Sequence, residues 1–345
     1  MRVLFVTSEW PSVETPYAAP YLVRQVDFLR RAGIDVDIFS FRGARRLQNY
    51  IRAWRRFRER FRQAHYDLIH AHWGQSALLA FPRRVPLVIT FHGCDLNGVK
   101  GLDGRTTAKG KLLQLVCRAI ARRADAVIVV SERLMRHLPS SVPASILPLG
   151  LDLSSIPLIP KAEARRQLGL PEAERLVLFV GSPEDPVKRC HLAREAVRTL
   201  NETLPARFIL GWEMPNSRIL RLMNACDVLV LTSMQEGSPT VVKEALACNL
   251  PVVSVDVGDV AARVRAIPGC EICGDDRPET MARALERVLR SGQRIAGRQA
   301  IKNLDEAVLT QQLIAIYESA LAGQNHQVAQ ISNPKSQIPN PGLEI

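Results

Sequence analysis

No apolar run in these 345 residues approaches the roughly 18–20 needed to span a bilayer. Cysteine is sparse and scattered, at Cys94, Cys117, Cys190, Cys226, Cys248, Cys270 and Cys273, an odd number that excludes a tidy disulfide framework and suits reduced thiols in the core. Cys270-Glu271-Ile272-Cys273 is a lone CxxC with neither a second pair nor nearby histidines, so zinc and redox use are set aside and no metal is expected. A Gly-x-Gly-x-x-Gly turn is missing after the first strand, which removes the dinucleotide fingerprint. Met1-Arg2-Val3-Leu4-Phe5-Val6 runs straight into a strand without a secretory cleavage pattern, so the chain is expected in the cytosol. Acid is also short: 34 Asp and Glu face 46 Lys and Arg, and the formal net charge of +12 favours anionic partners such as nucleic acid, anionic lipid or a phosphorylated substrate.

What is present is enough apolar residue, 47%, to fill two cores of ordinary size. The first strand ends near Ser8, and Tyr21 to Ala32 then places Leu22, Val26 and Leu29 on one helical stripe. Ile34 to Phe39 alternates as the next strand, giving a crossover unit of a parallel sheet. Two further strands end in His72 and in His92-Gly93, at the carboxyl edge where such sheets collect ligands; His70, two residues earlier, reads as a packing residue.

Arg42 to Arg62 carries arginines at 42, 45, 46, 52, 55, 56, 58, 60 and 62 against the single acid Glu59. Tyr50, Ile51, Trp54, Phe57 and Phe61 recur at three- and four-residue steps, so the segment predicts a basic amphipathic helix. Three uses stay open: core packing with a solvated basic face, docking on an anionic membrane surface, and nucleic-acid binding. No recognised nucleic-acid motif accompanies the patch, so nucleic acid is not an expected partner.

After the Pro- and Gly-bearing stretch Leu147-Pro148-Leu149-Gly150-Leu151-Asp152 the pattern starts again at Arg175–Gly181. Lys188 and Arg189 stand before a helix start, where two cations suit a diphosphate or are simply solvated. The strand Val228–Leu231 leads into Gln235-Glu236-Gly237-Ser238-Pro239-Thr240, read as a helix start with Ser238 as N-cap and Pro239 in the first turn. That helix is expected to end at Cys248, with Asn249 in a left-handed turn and Pro251 beyond it. Glu236 before the helix and Glu244 on its second turn are either dipole compensation and a solvent-facing acid, or hydroxyl acceptors on the two sides of a phosphate. Residues 323–345 are rich in Gln, Asn, Ser and Pro and are expected to be disordered.

Together, Glu236-Gly237-Ser238-Pro239 with Glu244, Leu147-Pro148-Leu149-Gly150-Leu151-Asp152, Thr90-Phe91-His92-Gly93 and Asp227-Val228-Leu229-Val230 resemble a family 4 retaining glycosyltransferase from Met1 to Leu321. The resemblance implies an α/β chain of two Rossmann-like domains facing each other across a cleft, the GT-B fold. Residues 1–150 would form the acceptor side and 151–322 the nucleotide-sugar side, with the C-terminal helix returning to the first domain. It implies that Glu236 contacts donor-sugar hydroxyls, Glu244 the ribose, and the Gly237, Ser238, Pro239 and Thr240 segment the phosphates. Lys188 would steady the departing diphosphate, with Arg189 beside it, and His92 would lie against the donor sugar. The donor would be a UDP- or GDP-linked sugar used as substrate, with no cofactor. The acceptor would be a glycan or lipid-linked sugar of the cell envelope or surface polysaccharide, reached from the cytosol or from the inner face of a membrane.

Three departures accompany these marks. Ser182 follows Gly181 where many members carry an arginine ahead of the lysine. Tyr17-Ala18-Ala19-Pro20 stands in place of a Gly-Gly pair, and Ala261-Ala262 replaces an acid. A nucleotide-sugar epimerase on the same fold and a non-catalytic transferase-like binding protein are the alternatives.

Overall fold

The computed structural model describes residues 1–16, 18–43, 47–101 and 104–323. Two all-parallel sheets organise them. The first holds β1 (Arg2–Thr7), β2 (Asp35–Ser40), β3 (Leu68–His72), β4 (Leu87–Phe91), β5 (Ala126–Val129) and β6 (Ser145–Ile146), in the order β2-β1-β3-β4-β5-β6. The second holds β7 (Leu176–Val180), β8 (Arg207–Gly211), β9 (Val228–Leu231), β10 (Val252–Val255) and β11 (Glu271–Cys273), in the order β11-β10-β9-β7-β8. Residues 228–231 and 252–255 are buried at every position, which is why they read as unbroken apolar runs instead of alternating patterns. In both sheets the winding direction reverses beside the first strand, between β1 and β3 and between β7 and β9. Loops leaving the carboxyl ends diverge at such a point and open a crevice.

The last helix, Glu306–Leu321, is capped by Asp305, whose carboxylate accepts from Ala307 N at 3.0 Å. It lies on the first sheet, not the second, and its Leu309, Leu313, Ile316 and Tyr317 share a core with Val3, Phe5, Val26 and Leu29. The expected return of the C-terminal helix is therefore present. Tyr317 reaches His70 Nδ1 at 2.6 Å, and Thr90 Oγ1 holds the other ring nitrogen at 2.8 Å, so His70 is a packing histidine.

The linker between the sheets is gripped at three successive carbonyls. Leu149 O accepts from Lys243 Nζ at 2.7 Å, Gly150 O from Arg24 at 2.7 Å, and Leu151 O from the Glu306 amide at 2.8 Å. Both chain crossings between the domains thus meet in one hydrogen-bonded knot.

The basic segment is a helix over Leu47–Gln63; Arg45 and Arg46 lie outside the described residues, as do Tyr17 and residues 324–345 of the tail. Ala53 and Phe57 are buried, Phe57 edge-on to Phe39, while Leu47, Ile51 and Trp54 stay on the outer surface. Among the described residues no helix is long and apolar enough to cross a membrane.

Candidate active site

At the second switch point the loop after β7 carries Lys188 and the loop after β9 carries Glu236. The two side chains meet, Nζ to Oε1 at 2.6 Å. The loops are knitted to each other by Thr232 Oγ1 donating to Lys188 O at 2.8 Å and Met234 N donating to Val187 O at 2.8 Å. Glu236 is the more enclosed partner, 13% exposed against 30% for Lys188. Arg189 turns away from this pair: its Nε donates to Thr232 O at 2.7 Å and its guanidinium pairs with Asp276. Of the two adjacent cations, only Lys188 faces the Glu236 carboxylate.

The following helix spans Thr240–Ala247, one residue shorter at each end than expected. Ser238 does not cap it. Its hydroxyl donates to Asp259 at 2.7 Å, a carboxylate also held by Arg263, which ties the side chain to the loop after β10. Pro239 occupies the cap position, and no side chain blocks the amides of the first turn. Asn249 takes the left-handed conformation (φ 56°) that the sequence suggests.

Glu244 is neither solvent-facing nor a cap. It is buried, and its Oε1 accepts from Asn216 Nδ2 at 2.9 Å. Burial pushes its carboxyl above the usual range, and the Asn216 hydrogen bond partly offsets that. Asn216 begins the helix Asn216–Ala225, so Glu244 is oriented by the loop leaving β8.

The first domain closes the other side. A Cβ added to Gly237 would lie 1.9 Å from the His92 carbonyl oxygen, and one added to Gly258 would lie 2.9 Å from Gly237 O. The Glu236-Gly237 turn is therefore pressed between the His92-Gly93 turn and the loop after β10. Asp95, fully buried, accepts from the amides of Gly93 at 2.9 Å, Leu96 at 3.0 Å and His92 at 3.2 Å, which fixes that turn. The His92 ring is half-buried against Trp73 (4.6 Å) and Tyr21 (5.7 Å). Its Nε2 lies 3.0 Å from His72 Nδ1. Desolvation, with the nearby Lys243 charge, pushes the His92 imidazole down to about 3, so it is neutral at physiological pH.

The structure thus joins Lys188 to Glu236, sets Gly237 against the His92 turn, and holds Glu244 on the helix that follows. Four contributors were not assigned from sequence: Asp95, Asn216, Lys243 and the link from His72 to His92. Asp95 follows His92 by three residues, the spacing of a side chain that caps a turn, and was in principle readable. Asn216 and Lys243 carry no such mark. Among the described residues no cluster of three His, Cys, Asp or Glu has metal-holding geometry.

Two parallel sheets of the same winding, each with its switch point, give the two-domain GT-B arrangement. The Glycosyltransferase Family 4 model matches residues 2–155 and the Glycosyl transferases group 1 model residues 177–291. The chain belongs to the family 4 glycosyltransferases. It is 28% identical over 329 residues to TuaC of Bacillus subtilis strain 168, named as a teichuronic acid biosynthesis glycosyltransferase, covering 76% of this chain and 82% of that one. It is 27% identical to the D-inositol 3-phosphate glycosyltransferase of Thermobifida fusca, over 74% of this chain and 70% of that protein. The match to the enzyme of that name from Mycolicibacterium gilvum, also 27% identical, spans 69% of this chain and 62% of the relative. Among solved structures, sucrose-phosphate synthase of Thermosynechococcus elongatus superposes with a TM-score of 0.79 at 18% identity, over 94% of this chain and 99% of that one. HepE of Anabaena with UDP-glucose gives 0.67 at 18% identity, over 92% and 100%. Those two likenesses concern the fold alone.

Proposed function

We propose that the protein is a retaining glycosyltransferase that moves a hexose from a UDP- or GDP-sugar to a glycan or lipid-linked acceptor in surface polysaccharide synthesis. The observation that carries the reading is the spacing of two oriented acids about one helix start. Glu236, paired with Lys188, stands at the mouth of that helix, and Glu244, held by Asn216, lies on its second turn. A nucleotide-sugar matches this layout: sugar hydroxyls at Glu236, diphosphate at the uncapped amides and Lys188, ribose at Glu244. TuaC, named for teichuronic acid biosynthesis, supports the acceptor class.

In this scheme the acceptor oxygen bonds to the anomeric carbon on the face the phosphate leaves. The bond from that carbon to the phosphate oxygen breaks, and the acceptor's proton passes to the departing phosphate. Lys188 and the helix amides stabilise the charge that grows on the diphosphate. Arg189, committed to Thr232 and Asp276, holds the loop that presents Lys188.

Incubation with UDP- and GDP-hexoses tests the reading. Release of UDP or GDP, stimulated by acceptor, with retained anomeric configuration by proton NMR, is the expected result. Inverted product would sink the retaining assignment, and sugar interconversion without transfer would favour the epimerase.

The basic helix suits peripheral docking on an anionic membrane. Leu47, Ile51 and Trp54 are 75%, 46% and 38% exposed at successive helical turns, beside exposed Arg52, Arg55 and Arg56. Glutamine at Arg52, Arg55, Arg56 and Arg58 should abolish sedimentation with phosphatidylglycerol vesicles while donor hydrolysis persists. Unchanged sedimentation would remove the membrane from the account.

A further inference from the structure

The unassigned group nearest the crevice is His72, at the carboxyl end of β3. It is fully buried, with Phe5 at 4.7 Å and His70 at 4.2 Å between ring centroids. His72 Nδ1 and His92 Nε2 are 3.0 Å apart, so one of the two must carry a hydrogen and the other must not. The outer nitrogens, His72 Nε2 and His92 Nδ1, are both buried and without a partner.

Both rings are neutral, because burial lowers each imidazole, and for His92 the nearby Lys243 charge adds to the effect. Two neutral rings sharing one hydrogen bond have two arrangements. With the shared hydrogen on His92 Nε2, the second hydrogen sits on His72 Nε2, inside the sheet, where no ligand oxygen arrives. With the shared hydrogen on His72 Nδ1, the second sits on His92 Nδ1, on the half-buried ring packed against Trp73 and Tyr21, in the turn whose carbonyl faces Gly237. An unpaired buried N–H is a costly group, and only the second arrangement places it where a bound molecule relieves it.

We propose that His72 is a positioning residue that locks His92 in the Nδ1–H tautomer, making it a hydrogen-bond donor toward an oxygen of the bound nucleotide-sugar. The proposal rests on the reading of His92 as a wall of the donor site. His70 has no such role, since Tyr317 and Thr90 engage both of its ring nitrogens.

The test is nitrogen-15 NMR of the full-length protein labelled at histidine, first alone and then with UDP-glucose. His92 Nδ1 should be pyrrole-like and Nε2 pyridine-like. His72→Asn keeps an N–H near the Nδ1 position and should preserve this pattern. His72→Asp offers only an acceptor and should move the hydrogen to His92 Nε2. With the donor identified by the nucleotide-sugar panel, kcat should fall about 100-fold in His72→Asp, the scale of losing one aimed donor, with KM for the donor little changed. His72→Asn should lose only several-fold. A wild-type His92 protonated at Nε2, or wild-type kcat in His72→Asp, overturns the proposal. If His72→Asp does not fold, the wild-type and His72→Asn spectra still decide. The tautomer readout needs no turnover, so it stands apart from failure of the glycosyltransferase reading.

Discussion

Gly237→Ala is the sharpest perturbation of the crevice, because it adds one methyl group where the two domains touch. The new Cβ would lie 1.9 Å from the His92 carbonyl oxygen and 2.9 Å from its carbon, where ordinary contact begins at 3.4 Å. The overlap with the oxygen is 3.4 − 1.9 = 1.5 Å. Backbone bounds the site on both sides: Asp95 pins the His92-Gly93 turn, and the loop at Gly258 backs Gly237. No side-chain rotation relieves such a clash. Holding the domains together would cost roughly 1–3 kcal/mol of overpacking, so they part instead and His92 is drawn off the donor. A displacement of about 1 Å at a reacting centre costs on the order of 100-fold in rate. UDP affinity should survive, since Glu244 and the helix amides belong to the second domain. Calorimetry with UDP beside steady-state turnover separates the two effects. A kcat within about three-fold of wild type would refute a contact between the domains at this point.

Three further outcomes follow from the same geometry. Lys188→Ala should raise the Kd for UDP by roughly 10-fold or more, the value of a charge-assisted hydrogen bond, while UMP affinity changes little; equal losses for both would place Lys188 away from the second phosphate. Glu244→Ala should weaken UDP by about 10- to 100-fold and leave Asn216 without its acceptor; an equal loss for 2′,3′-dideoxy-UDP would show that no ribose hydroxyl is involved. His70 and His72 are neutral in the fold, His70 lowered to about 3 from 6.5, so the unfolded chain takes up protons first as the pH falls. Stability is then whole above pH 6.5 and declines toward pH 3, at up to about 1.4 kcal/mol per pH unit for each ring; chemical denaturation showing flat stability from 6.5 to 4 would contradict their buried neutral state.

Much of this was legible in the residues. The apolar runs at 176–180, 228–231 and 252–255 announce parallel strands because both faces are covered, and Asn249 announces a helix end because it tolerates a left-handed turn. Glu236 and Glu244 were visible as a pair, yet their spacing did not decide between capping and chemistry. Burial removes the solvent-facing reading of Glu244, whose carboxylate is held by Asn216, a residue 28 positions earlier in the chain. Ser238 does not cap the helix, and the partner that orients its hydroxyl, Asp259, arrives from the loop after β10, out of reach of any local pattern. Lys243 looks like an ordinary charged helix residue; only the packing of the linker against its helix puts its ammonium on Leu149 O. The His72–His92 contact joins the ends of two strands whose pairing register, His72 opposite Thr90, exists only once β3 and β4 are side by side.

The central claim is that the acid paired with Lys188 takes part in transfer from a nucleotide-sugar. Release of nucleoside diphosphate from the UDP- and GDP-hexose panel, measured in parallel for wild type and Glu236→Gln, tests it most directly. Wild type should release UDP or GDP from one donor, and Glu236→Gln should be slower by about 100-fold or more while still binding the nucleotide. Equal rates in the two proteins, or binding without turnover in the wild type, would contradict the account.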